Sequence, residues 1–384
     1  MKKSILFTLI CVGSILCIIS ITNCKNGTTA SSFKLITIDS MPPHNPWAKI
    51  VADLDNDSYT DFIIGGQNGP LVWYKSPTWE KYLIAEGGYN TVDGEAGDIN
   101  NDGYPDLVLG GLFWYENPGV LDNNPEQIWK VHKITDHPTH DVELADVNKD
   151  GMLDIVTRDQ SEFGHTEGNT IHIWYQTNDT IWTEDIISCP HGEGIKCIDL
   201  DNDNDTDIII GGEWFENQGG DGKVTWGIHV FTEWHSNATV DVADINNDGR
   251  KDIVLVPSEL AGEYYKISWF EAPETIPDGE WTEHLIADSV ECVVHSLKTA
   301  DFTNDGLPDI LYAEMHQGHD PDEVVLMVNN NNGGNWEKQV LSSTGSHMLQ
   351  VTDFNNDGYL DFFGANWGGD FPHIQLWENM LMGF

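Results

Sequence analysis

Seven short stretches of this chain could hold a metal ion, and a second set of residues at fixed distances from them could move protons. The stretches share a nine-residue pattern, D-x-[DNT]-x-D-x-x-x-D, with oxygen-bearing side chains at positions one, three, five and nine. In order along the chain these are Asp53, Asp55, Asp57 and Asp61, then Asp98, Asn100, Asp102 and Asp106, then Asp146, Asn148, Asp150 and Asp154. The fourth loop supplies Asp199, Asp201, Asp203 and Asp207, and the fifth Asp244, Asn246, Asp248 and Asp252. The sixth supplies Asp301, Thr303, Asp305 and Asp309, and the seventh Asp353, Asn355, Asp357 and Asp361. Oxygens at this spacing, with glycine usually at position six for the sharp turn, wrap a small hard cation as the first part of an EF-hand loop does. The loops contain no thiols or histidines that would favour zinc. The pattern therefore predicts up to seven structural Ca2+ ions. Ser58 and Asn204 replace the turn glycine and Thr303 replaces a carboxylate or amide, so weaker binding is expected in those three loops.

The second set is built on histidine. His140, His295 and His347 each stand six residues before the first aspartate of a loop, which predicts equivalent places in a repeating structure. His44, His137, His191 and His235 also precede loops. After the loops come Arg158, Glu162 and His165, then Glu259, then Glu314, His316 and His319, then Asn366, Trp367 and Asp370. Arg158 stands out because the other arginine, Arg250, lies inside an aspartate loop. Any one of these histidines, taken alone, reads better as a structural or surface residue than as a catalytic one. Their convergence on one face is what suggests a site. Imidazoles, a cationic anchor and aromatic platforms suit elimination from a sugar acid or keto-sugar. One histidine would take the proton beside the carboxylate or ketone, another would protonate the leaving oxygen, and Arg158 would stabilise the enolate-like charge. The catalytic candidates are His140, Arg158, His165, His295, His316 and His347. The candidate substrate contacts are His44, Trp47, His191, His235, Glu162, Glu259, Glu314 and Trp367. An additional divalent metal at the same mouth is a further expectation.

These residues need a scaffold, and the spacing of the loops supplies it. The mean period is 50 residues, from (353 − 53)/6. Within each period an alternating run precedes the loop, an apolar run follows it, and an aromatic-rich run such as "LFWYEN" comes next. A fourth segment often opens on tryptophan, as in "WTEHLIA". Short β-branched and aromatic runs parted by Gly, Asn, Asp and Pro turns are strands, and four antiparallel strands per repeat make a propeller blade. The prediction is an all-β, seven-bladed propeller over residues 33–384. The last repeat lacks its fourth segment, and "FKLITID" (Phe33–Asp39) reads like the missing strand, so the N-terminal strand should close the ring and remove its edges. Each loop joins the first strand to the second. The histidines and the turns between second and third strands therefore share the opposite face.

Residues 1–24 read as an export signal: Met1-Lys2-Lys3, then an apolar run from Ile5 to Ile21. "SITNC" ending at Cys24 loosely resembles a lipoprotein cleavage box, so a periplasmic, secreted or lipid-anchored location is expected, with no membrane contact beyond such an anchor. Cys189, Cys197 and Cys292 form no disulfide framework; a Cys189–Cys197 bridge and three free thiols both stay open. The formal net charge is −45, from 63 acidic and 18 basic residues, which excludes nucleic-acid binding through phosphate contacts. The expected partner is an oligosaccharide or polysaccharide carrying uronic acids, bound by a monomer.

The repeats resemble FG-GAP/VCBS propellers over about residues 33–379. The texture from Gly97 to Pro118 and from Trp129 to Ile134 also resembles the propeller domain of aldos-2-ulose dehydratases. Propeller-type polysaccharide lyases with a histidine-rich site offer a second comparison. What these resemblances imply is a carbohydrate-active carbon–oxygen lyase, with water elimination the preferred reading and chain cleavage of uronic-acid glycans the alternative. A non-catalytic glycan-binding or adhesion propeller would instead hold sugar on Trp47 and Trp367. A hydrolase would need two carboxylates across the scissile bond, drawn from Glu162, Glu259 and Glu314.

Overall fold

Alternation at period two drives these short runs into strands, and the loops between them are too polar to be buried. A computed structural model describes residues 33–381 apart from 90–92, 111, 122–123, 138, 160–168, 220–223, 236 and 371. The signal segment, Cys24, Glu162 and His165 lie outside the described residues. The strands form seven antiparallel four-stranded sheets, each ordered by sequence from the channel outward except the last. Blade one, for example, comprises Pro46–Ala52, Asp61–Gly66, Leu71–Lys75 and Glu80–Ala85. Blade seven comprises His347–Thr352, Asp361–Ala365 and Ile374–Asn379 and is completed by Phe33–Asp39, whose Leu35 lies opposite Trp377. The ring closes through the N-terminal strand, as expected.

In blade five, "LAGEYYK" extends the third strand, Leu260–Glu271, and pairs with the end of the fourth, Thr282–Cys292. Tyr264 and Tyr265 supply the β propensity there, and Glu259 takes the turn at φ 65°. Cys189, Cys197 and Cys292 are all free thiols.

Two devices hold the ring, the first within each blade and the second between blades. The first is the aspartate at loop position nine, which is almost fully buried in every repeat. Its Oδ2 accepts the N–H of loop position two, as from Leu54 to Asp61 at 3.1 Å. Its Oδ1 accepts an N–H from the third strand or just beyond, as from Ser76 at 2.8 Å. The second device is an Asn or Gln at the end of the third strand. Asn117, Gln176, Asn217, Asn329 and Asn379 each donate to a loop carbonyl of the preceding blade, at 2.8–3.0 Å. Between blades lie apolar clusters centred on third-strand tryptophans; Trp73, Trp114, Trp214 and Trp377 are fully buried.

Removing Phe33–Asp39 leaves Ile374–Asn379 as an open edge, so a chain starting at residue 40 should unfold at a lower temperature and associate on light scattering. Asn217→Ala orphans the Val147 carbonyl in a buried place, and chemical denaturation should show a loss of about 1–3 kcal/mol.

Candidate functional site

The inner strands run toward the aspartate loops, so their first residues gather at the opposite end of the channel. Counting six back from the first loop aspartate gives Trp47, His140, Glu193, Ala238, His295 and His347 in the blades other than the second. In three of these strands the ladder is irregular at that level. Pro46 pairs with Gly66 but Ala48 with Gly65, which leaves Trp47 unpaired. Val294 pairs with Glu314 but Ser296 with Ala313, which leaves His295 as the extra residue. Blade seven shifts between His347 and Gln350, with Met348 at φ 53°. A bulge takes a side chain out of strict alternation and re-aims it.

The result is a tight cluster. The rings of His140 and His295 lie 5.5 Å apart, and His295 stacks on His347 at 4.5 Å and 22°. Glu193 Oε2 sits 3.7 Å from His140 Nε2 and 3.6 Å from His295 Nε2, while its other oxygen accepts from the Ser258 hydroxyl. Glu259 Oε1 approaches His295 Nε2 at 3.9 Å. Asp141 contacts His140 Nδ1 at 3.1 Å and accepts the Gly194 N–H at 3.0 Å. Gly194 has φ 83°, and a Cβ there would strike the Ala238 carbonyl oxygen, so glycine is required beside Glu193.

Exposure is 5% at His140, 1% at Glu193, 8% at His295 and 2% at His347, so charge here is set by neighbours rather than by water. Burial disfavours a charged His140, but Asp141, Glu193 and Glu259 together outweigh it, and the pKa is pushed up to about 9. Burial also opposes charge on His295, yet Glu193 and Glu259 raise it above its ordinary value. His347 goes the other way: burial, then His295 and the buried Lys49, hold it well below the usual imidazole range. Burial and then Glu193 push Glu259 up to about 7. Neighbouring imidazoles are thus shifted in opposite directions, the arrangement from which acid and base roles arise.

Arg158 has a different place from the carboxylate anchor that the sequence suggests. It is 1% exposed. Its NH1 donates to the carbonyls of Glu193 and Gly194 at 2.7 and 2.8 Å, and its NH2 to that of Pro190 at 2.9 Å. It is a positioning residue that clamps the segment carrying Glu193. Among the other candidates, Trp47 and Trp367 form a half-buried aromatic ledge, 6.2 Å between rings, with His316 4.5 Å from Trp367. The Trp47 backbone bonds His347, so this ledge adjoins the cluster. His44 is exposed, His191 is half-exposed, and His235 Nδ1 contacts the Asn237 backbone. Glu314 is not gathered with the histidines: its carboxylate accepts the Glu323 N–H at 2.9 Å, near Asp320 and Lys338.

Behind the cluster lies the central channel, a cavity of about 230 Å³ walled by all seven inner strands and reached by His295, Glu193 and Asp141. Three residues before each first aspartate, its wall carries Glu95, Glu143, Lys196, Asp241 and Lys298. Lys196 binds both oxygens of Glu143 at 3.0 Å. The inner-strand ends at the loops, such as Ala52, Ala145 and Ala300, are half-exposed, whereas the histidine ends are buried. The histidines therefore plug that end of the channel rather than line an open mouth.

Among the described residues, four groups bring three ligand atoms within 4.8 Å of one another: His140, Glu193 and His295; His137, Asp159 and His172; Asp53, Asp55 and Asp57; and Asp199, Asp201 and Asp203. The last two are positions one, three and five of loops one and four. In loop one, Lys75 already bonds both Asp55 and Asp57. Glu193, Asp141 and Ser258 escape a reading centred on histidine. The six-residue count that marks three histidines also marks Glu193.

Comparison with known proteins bears on the fold. Residues 53–109 and 301–364 match the FG-GAP-like repeat. No curated protein sequence matches the chain. Two solved structures of BBS1N in complex with ARL6DN, one soaked with mercury and one with lead, are similar over 90% and 91% of this chain and 96% and 97% of theirs. The TM-scores are 0.57 and 0.55 at 11% identity, a likeness of fold alone. The chain is a seven-bladed β-propeller built on FG-GAP-like repeats.

Proposed function

We propose that the histidine face belongs to an exported, carbohydrate-active carbon–oxygen lyase, working as a monomer on uronic-acid-containing oligosaccharides or keto-sugars. The observation that carries this reading is the bracket of one buried carboxylate by two imidazoles, with a third imidazole stacked behind and an aromatic ledge alongside. A sugar ring would pack on Trp47 and Trp367. The uncharged His347 suits the base that removes the proton next to a carboxylate or ketone. His140 and His295 suit the positive charge over the enolate and the donor to the leaving oxygen. Water as leaving group makes the reaction a dehydration; a sugar as leaving group makes it chain cleavage. A divalent ion on His140, Glu193 and His295 is the second reading, favoured by the convergence of their ligand atoms.

Incubation with a panel of uronic-acid oligosaccharides, followed by mass spectrometry, should show the loss of one water or cleavage to an unsaturated product. Glu193→Gln and His347→Ala should each lower the rate about 10²-fold or more while leaving the fold intact by circular dichroism. Binding without turnover would leave a glycan-binding propeller. Saturated cleavage products would point to a hydrolase. Dependence on a divalent ion other than calcium would select the second reading.

The aspartate loops are proposed to bind Ca2+. Positions one, three, five and nine carry 23 of the 63 acidic residues, and bringing them together without cations is unfavourable. Chelation should lower Tm, with recovery on adding Ca2+ and a smaller recovery with Mg2+, which demands stricter geometry. Lys75→Gln should add calcium affinity at loop one, read by calorimetric stoichiometry.

A further inference from the structure

Blade three departs from its neighbours away from the channel. In blades two, four and five a histidine on the outer strand stacks on the buried third-strand tryptophan: His132 on Trp114, His229 on Trp214 and His284 on Trp269, at 3.9–4.7 Å. Each of these histidines also bonds a third-strand glutamate, Glu116, Glu216 or Glu271, at 2.7–2.9 Å. In blade three the outer-strand place opposite Trp174 is taken by Glu184. The histidine has moved to the third strand as His172, which is 5% exposed, and its Nδ1 meets Glu184 Oε1 at 2.7 Å. The repeat keeps its His–Glu pair but turns the free end of the imidazole toward the histidine face.

Two more groups meet it there. His137, in the connection from blade two, brings its Nε2 to 2.8 Å from His172 Nε2. Asp159, 8% exposed at the end of the second strand, lies with Oδ2 3.9 Å from His137 Nε2, and its Oδ1 is buried without a hydrogen bond. We propose that His137, Asp159 and His172 bind a divalent transition metal of the zinc class, joining the blade two–three connection to blade three. The chemistry of each donor fits. Glu184 accepts the Nδ1 proton of His172, which leaves the lone pair on Nε2, the arrangement by which outer carboxylates orient metal-bound histidines. Two imidazoles and a carboxylate form a donor set for zinc with one coordination place left for water, and His137 is half-exposed, so water can reach it. Nitrogens bound to one tetrahedral zinc stand about 3.3 Å apart, so the pair opens by about half an ångström and Asp159 closes by a similar amount. Thr170 Oγ1, now 3.0 Å from His172 Nε2, turns aside. Calcium would not compete, because imidazole is a poor ligand for it.

The test is a Co2+ titration of the untagged full chain in saturating calcium, followed by the visible d–d absorption of tetrahedral cobalt. One equivalent should bind, and zinc should displace it. His137→Gln, at a half-exposed side chain that leaves the fold intact, and Asp159→Asn should each weaken binding at least tenfold. Glu184→Gln should weaken it about 10- to 100-fold as an orienting residue. Glu193→Gln should leave this band unchanged, which separates the site from the channel cluster and from the proposed reaction. Absence of a tetrahedral band, its persistence in both His137→Gln and His172→Gln, or its loss in Glu193→Gln would overturn the proposal.

Discussion

The interaction on which the rest of this propeller depends is the buried aspartate at loop position nine. One oxygen holds its own loop and the other holds the third strand or the residue just after it, so the first three strands of a blade are fixed by one carboxylate. Burial pushes these groups up, Asp61 to about 8 and Asp106 to about 7, a measure of how far they are withdrawn from water. Folding must therefore satisfy them completely, and the backbone N–H groups do so. Once the loop is fixed, a residue six places upstream has a determined height on the channel axis.

That rule explains the layering of the channel. At the loop end stand small residues such as Ala52, Gly97, Ala145 and Ala243; in the middle stands the charged belt of Glu95, Glu143, Lys196 and Asp241; at the far end stand the histidines and Glu193. Each belt is a set of equivalent positions in different repeats. The charges do not cancel: Glu95 is pushed up to about 8, first by burial and then by Glu143. An interior that keeps carboxylates this close gives up stability that apolar residues would supply, and such a trade is typical where function sets the composition.

How much of this was legible in the sequence follows from what each feature depends on. The blades, the loops and the closing strand rest on local periodicity and on a motif repeated seven times, so they could be read directly. The meeting of His140, His295 and His347 could also be read, because it needs only a constant offset. Glu193 sat at the same offset but was masked by the expectation of histidine. The burial of Arg158 was not readable, since it depends on the carbonyls of residues 190–194 turning toward blade three, a contact between repeats that no spacing encodes. The pairing of His137 with His172 is likewise non-local. Its trace in the sequence is the exchange of partners within blade three, visible only once the register of Trp174 and Glu184 is known.

The bulges at the histidine end carry the argument one step further. A regular inner strand alternates between the channel and the neighbouring blade, so consecutive residues cannot serve the same space. At Ser296, one place after His295, the hydroxyl accepts the Leu349 N–H across the inter-blade contact while His295 reaches Glu193. Blade one does the same with Trp47, which goes to the ledge, next to Ala48, which goes to the core. Each bulge breaks ladder bonds that a plain propeller blade would keep, and blades three and five have none at this level between their first two strands. The irregular strands are those that deliver His295, His347 and Trp47, while Ala238 opens a regular strand and His140 stands just before another. At this end of the channel the irregular backbone thus delivers His295, His347 and Trp47, whereas His140 and Glu193 reach the cluster without a bulge in their own strands.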